Sequence, residues 1–177
     1  MKKMCFVLIF VLLLLTSCST SGDTATMINT DNGEIAEKAF NQLIEAIETK
    51  KKTSIKKLFA KNAINAEENF EDEILKLLDF YEGKNISFTE EVVSATYEMD
   101  KGKFKKELLC SYTVETNKQK YHIEFKLCPI DDFDADNIGI LSFYIINSKN
   151  WHGNYVYHGD GNYTPGINIV LEPPIEE

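Results

Sequence analysis

The chain has 177 residues, with 28 acidic side chains against 19 lysines and no arginine, for a formal charge of −9. That balance argues against a nucleic-acid surface, because phosphate contacts need a basic face. Lacking guanidinium forks, the chain also has no two-pronged grip on carboxylate or phosphate, which counts against phosphoryl transfer. The length allows one domain with a real core.

Lys2 and Lys3 open an N-terminal segment whose apolar run covers residues 4–15 and ends in polar Thr16 and Ser17 before Cys18. A membrane-spanning helix needs about 20 apolar residues, so the run reads as a secretory signal instead. Leu15-Thr16-Ser17-Cys18 resembles the lipobox of bacterial lipoproteins. The resemblance implies cleavage before Cys18, fatty acylation (palmitate or a related chain) of that thiol, and a place on the extracytoplasmic face of the cell membrane. One acyl chain holds a protein only marginally, whereas two or three hold it firmly. Loss of residues 1–17 removes Lys2 and Lys3 and moves the charge from −9 to −11. Residues 18–30 read as a flexible tether spanning roughly 20 Å by random-coil scaling. Residues 31–172 then form a single α+β domain, and 173–177 a short tail.

Within the domain, Asp31-x-x-Glu34 looks like a capping box. Ala36, Phe40, Leu43 and Ile47 follow at helical spacing, and Lys50, Lys51 and Lys52 close the helix where positive charge suits its carboxyl end. A short second helix, capped by Thr53 or Ser54, carries Ile55, Leu58 and Phe59. A third starts near Phe70, carries Ile74, Leu77, Leu78 and Tyr81, and stops at Gly83. Strands follow. Ile86 and Phe88 share one parity and Val93, Ala95, Tyr97 and Met99 the other, so a bulge is expected near Glu90-Glu91. Asp100-Lys101-Gly102-Lys103 is a turn into a strand over 104–116. A turn at 117–120 leads into a strand over 121–128, which Pro129 ends. Leu108, Cys110, Tyr112 and Val114 make one apolar face, and Tyr121, Ile123, Phe125 and Leu127 its match. Pairing them sets Cys110 opposite Leu127 with Cys128 pointing away, which favours two free thiols, although a bulge would allow a disulfide between them. Residues 138–146 are apolar on both faces, as in a central strand, and further strands are expected over 151–157 and 167–171.

Ala36-Glu37-Lys38-Ala39-Phe40 through Ile47, followed by Leu58-Phe59-Ala60-Lys61-Asn62-Ala63, resembles the opening of nuclear transport factor 2-like domains. Asn137-Ile138-Gly139, Tyr81-Glu82-Gly83 and Pro165-Gly166-Ile167 resemble a family of uncharacterised bacterial lipoproteins with that fold. The resemblance implies three N-terminal helices packed on a strongly curved antiparallel sheet that wraps a cone. That superfamily includes isomerases, dehydratases and cyclases alongside members that only bind or dimerise, so fold does not choose an activity.

Three groups of residues are candidates for chemistry. Trp151, His152, Tyr155, Tyr157, His158 and Asp160 make an aromatic, histidine-bearing stretch. It reads either as a pocket rim, with His158 and Asp160 as an acid–base pair, or as an aromatic cover over a sheet edge, which is the preferred reading. Asp132-x-Asp134-x-Asp136 has the alternation of a calcium loop. Asn137 and Phe143 stand where that loop needs glycine and glutamate, so a solvated acidic connection is preferred. His122 falls on the parity opposite to Tyr121 and Ile123 and reads as a solvent-face side chain without a role.

The leading expectation is a lipid-anchored, non-enzymatic domain that binds a small apolar ligand or a protein partner and uses no cofactor or metal. The competing expectation is an enzyme using His158 or Asp160 with a cavity tyrosine such as Tyr97 or Tyr112. A homodimerising structural module is the third.

Overall fold

The computed structural model describes residues 31–151 and 163–171. Four helices come first: α1 (Asn32–Glu48), α2 (Lys52–Leu58), α3 (Lys61–Ala66) and α4 (Phe70–Phe80). Five strands follow: β1 (Asn85–Asp100), β2 (Lys103–Thr116), β3 (Lys120–Asp131), β4 (Gly139–Asn147) and β5 (Gly166–Val170). The sheet is open, with the strands in sequence order. The class is α+β, as the order of patterns predicts.

The apolar stripes bring the two layers together. Ala36, Phe40, Leu43, Ile44 and Ile47 on α1, and Ile74, Leu77 and Leu78 on α4, are buried in one core with the inward faces of β2 and β3. Leu108, Cys110, Tyr112 and Val114 face inward, as do Tyr121, Ile123, Phe125 and Leu127. The expected bulge is present: register shifts between Glu90 and Val92, which lets Phe88 on one side and Val93 and Ala95 on the other all pack on the core. The β1–β2 hairpin turns on Lys101 and Gly102, both left-handed at φ 47 and 81, the backbone a two-residue hairpin loop demands.

Several expectations are corrected. Among the described residues there are four α-helices rather than three, because Lys61–Ala66 forms its own short helix against β4. Neither Thr53 nor Ser54 caps α2. Its first turn is closed from Lys51 O, which accepts from Ser54 N at 2.9 Å and Ile55 N at 3.0 Å. Lys50, left-handed at φ 53, ends α1 with crossed bonds from Lys50 N to Ile47 O and Lys51 N to Ala46 O. Pro129 does not end β3, which runs on to Asp131; a register shift between Lys106 and Leu108 lets the strand pass the proline. Cys110 pairs with Phe125 instead of Leu127. The turn decides this, because Thr116 Oγ accepts from Lys118 N and Gln119 N and so locks Glu115 against Lys120. Cys110 and Cys128 are free and buried, as expected. Finally, β5 runs parallel to β4, since the 18 residues between them (148–165) are enough for the chain to cross back. The strand expected over 151–157 lies outside the described residues beyond Trp151.

Candidate functional site

Aromatic rings pack the inward face of the sheet. Phe40 stacks on Tyr112 with ring centroids 4.2 Å apart, and Tyr112 lies nearly parallel to Phe125 at 6.0 Å. Phe88 closes on Phe40 at 4.8 Å. Tyr112 is therefore a fully buried core ring whose hydroxyl reaches Glu90 Oε2 at 3.4 Å. Burial, with Cys110 and Glu90 nearby, pushes its phenol far above the usual range. Tyr97 sits elsewhere, at the distal end of β1, 43 % exposed and 3.4 Å from Asn32 Nδ2. The structure does not bring Tyr97 and Tyr112 together. A cleft of ≈ 290 Å³ between α1 and α2 is lined mostly by polar side chains, among them Gln42, Thr49, Ser54 and Lys57.

The chemistry-bearing residues gather on the opposite, outer face of the sheet. His122 is 2 % exposed. The ring of Trp151 lies flat on its imidazole, 4.1 Å between centroids and 9° from parallel. Ser111 Oγ stands 3.3 Å from His122 Nε2, and Glu91 Oε2 stands 3.2 Å from Nδ1. Glu91 is the extra residue of the β1 bulge, and bulges commonly re-aim a side chain in this way. The grouping has the composition of a serine–histidine–carboxylate relay, but Glu91 Oε2 also accepts from Ser111 Oγ at 3.4 Å. The carboxylate bridges both partners rather than closing a line, and Ser111 is itself buried. Thr113 Oγ donates to Glu91 Oε1 at 2.5 Å and fixes it there. Burial lowers the imidazole's proton affinity, with Glu91 opposing. The arrangement holds the imidazole under an indole, with Ser111 and Glu91 at its two nitrogens.

His122 is the main misreading of the sequence. Its outward parity was right, but the outer face is covered at that point. The signal was in β4: His122 pairs with Ile146, and a strand apolar on both faces requires cover on both. Tyr144 and Ile146 are buried on that outer side.

Glu124 lies beside this group, two residues along β3 and paired with Ser111 and Tyr144. Its Oε1 is buried and has no hydrogen-bond partner among the described residues. Burial raises its carboxyl above the ordinary range. A folded state that holds its proton more tightly than the unfolded chain loses stability as pH rises through the folded pKa. Glu124→Gln should therefore stabilise the protein at pH 7.5, by about 1 kcal/mol on the scale of an unsatisfied buried group. That gain should fade at pH 4, where the parent carboxyl is protonated. Urea denaturation at the two pH values measures it, and an equal effect at both would show that charge is not the cause.

The acidic loop is a structural joint. Asp131 Oδ1 accepts from Phe133 N and Asp134 N, at 2.8 and 2.9 Å, and its Oδ2 from Asn137 Nδ2 at 3.0 Å. Burial opposes the charge of Asp131, but these bonds and Lys105 outweigh it and hold the carboxyl below its usual range. Asp132 accepts from Phe104 N at 2.9 Å, Asp134 from Asn62 at 2.8 Å, and Asp136 pairs with Lys61 at 2.8 Å. Asp134 and Asp136 thus tie α3 to this loop, while Asp132 ties the loop to β2. Among the described residues no cluster of three His, Cys, Asp or Glu is arranged to hold a metal ion. Burial also pushes the Cys110 thiol up to about 12 and the Cys128 thiol to about 11, so neither is a nucleophile at neutral pH.

Residues 42–148 match a domain of unknown function, DUF5104. The chain belongs to the DUF5104 family. No curated protein matches it. The DUF5104 segment runs from the middle of α1 to just past β4. It therefore contains Glu91, Ser111, His122 and Glu124, while Trp151 lies beyond it. Cys18, Tyr155, Tyr157, His158 and Asp160 lie outside the described residues. Among the described residues no helix is long and apolar enough to cross a membrane.

Proposed function

We propose that this DUF5104 protein is an extracytoplasmic lipoprotein, held on the cell membrane by acyl chains on Cys18, whose nuclear transport factor 2-like domain is a binding module for another protein. The observation that carries the reading is the apolar run ending in Leu15-Thr16-Ser17-Cys18, with the polar segment 19–30 ahead of α1. Four helices packed on a bulged, mostly antiparallel sheet are compatible with a cone-like fold of that superfamily. The stacked Phe40, Tyr112 and Phe125 rings fill the place where a small ligand would enter such a cone, and this favours a protein partner over a small molecule. An enzyme that uses Tyr112 as a cavity tyrosine has less support, because that ring is buried in the core.

The test is metabolic labelling with palmitate together with cell fractionation. The parent should incorporate label and partition with membranes. Cys18→Ser should lose both, because one apolar signal without its acyl chains gives no durable anchor. An unlabelled parent, or a Cys18→Ser variant that stays equally membrane-bound, would overturn the anchor.

A further inference from the structure

We infer that the free edge of β1, from Val92 to Asp100, is a docking strand for an extended, lysine- or arginine-bearing segment of a partner protein. The inference rests on the binding-module reading above and not on the lipid anchor. β1 is an outer strand of 16 residues and, among the described residues, pairs with β2 alone. In an antiparallel pair, alternate residues of an edge strand turn their N–H and C=O groups away from the neighbour. Such a row invites another strand.

Proteins usually blunt long edges with lysine, proline, bulges or brevity. β1 contains neither lysine nor proline. Both of its register shifts fall between Asn85 and Val92, so the register from Val92–Ser111 to Asp100–Lys103 is unbroken. The opposite edge, β5, is only five residues long and lies against α4 and α3.

Side chains along this stretch say what kind of strand fits. Val92, Tyr97 and Met99 are 49, 43 and 63 % exposed, giving apolar contacts at intervals. A cleft of ≈ 190 Å³ opens beside them, lined by Thr96, Tyr97, Glu98, Lys105 and Glu107. Within the stretch the charged side chains are Glu98 and Asp100, with no cation on the strand itself; Lys101 Nζ, in the turn, lies 3.9 Å from Asp100 Oδ2. Lys105, the register partner of Glu98, directs its amine to Glu107 at 2.7 Å instead. Among the described residues Glu98, an exposed side chain, forms no ion pair with Lys105, so an incoming cation would meet its carboxylate first. A second copy of this chain is a poor occupant, because edge-to-edge pairing would bring two such acidic strands together with no lysine between them.

The experiment titrates the full chain with an alternating lysine–valine octapeptide, with fluorescence anisotropy as the readout and amide hydrogen exchange locating the contact. The peptide should bind and protect amides of β1 but not of β5. Glu98→Lys/Asp100→Lys, both at exposed positions, should weaken binding about tenfold or more. The same peptide N-methylated at alternate residues should fail to bind, since it cannot pair as a strand. Equal binding of the N-methylated peptide, unchanged affinity in the double variant, no binding by the parent, or concentration-dependent dimerisation through β1 would each overturn the inference. A failure here leaves the palmitate result untouched, so the two readings fall separately.

Discussion

Phe40→Ala should destabilise the protein by about 3–5 kcal/mol, the usual loss for a buried aromatic truncated in a packed core. Phe40 has no exposed surface and lies between the helical layer and the sheet. It lies face to face with Tyr112 at 4.2 Å and touches Phe88 at 4.8 Å. The neighbours cannot easily collapse into the space. Tyr112 is held by its hydroxyl at Glu90 and by its stack on Phe125, and Phe88 is fixed by pairing with Val114. A cavity therefore remains, and its cost adds to the lost burial. A single domain has only about 5–15 kcal/mol in total, so the variant should be close to unfolding at physiological temperature. Equilibrium urea denaturation followed by far-ultraviolet circular dichroism gives the number. A loss under about 1 kcal/mol would mean that the ring is not an interior group, and would leave room for a ligand between the helices and the sheet.

The second large effect is at Gly139, where β4 begins. Its φ is +125, and an added Cβ would meet Ala60 N at 2.8 Å, Leu58 O at 2.9 Å and Phe59 C at 3.0 Å. All three atoms are backbone and cannot swing aside. They belong to the joint at which Ala60 N donates to Ile140 O at 2.9 Å and Phe59 bridges Ile140 in parallel. Gly139→Ala should cost about 1–3 kcal/mol in backbone strain and about 1–3 kcal/mol more in forced displacement. Gly102→Ala is the control. That glycine is also left-handed, at φ +81, but has nothing within 4 Å of the new methyl, so only the strain contribution applies. Thermal melts of the two variants should separate clearly. Equal losses would mean that the contact between the helical layer and β4 is looser than the distances require.

These two residues also show what was legible beforehand. Phe40 was placed in the core by its helical spacing with Ala36, Leu43 and Ile47, and Asn137-Ile138-Gly139 was singled out by resemblance alone. The structure supplies the physical cause: Asn137 ties the acidic loop to Asn62 and Asp131, and Gly139 lets β4 pass under the α2–α3 backbone. Of the candidate residues, Tyr97 and Tyr112 share the same strand parity logic but have opposite fates. One is in the interior and one is at an open edge, because Tyr112 has Phe40 above it and Tyr97 lies near the hairpin end.

Alternation along β2 and β3, the stripe on α1, the Lys101-Gly102 turn and the slip near Glu90 are properties of neighbouring residues, and all were determined by the sequence itself. So was the charge imbalance that shapes the β1 edge. Tertiary structure decided the rest: the separate α3, the Cys110–Phe125 register, the parallel direction of β5, and the burial of His122 beneath Trp151. Periodicity states which side of an element a residue occupies. Whether that side meets solvent or another element depends on residues far away in the chain, and no local pattern carries that information.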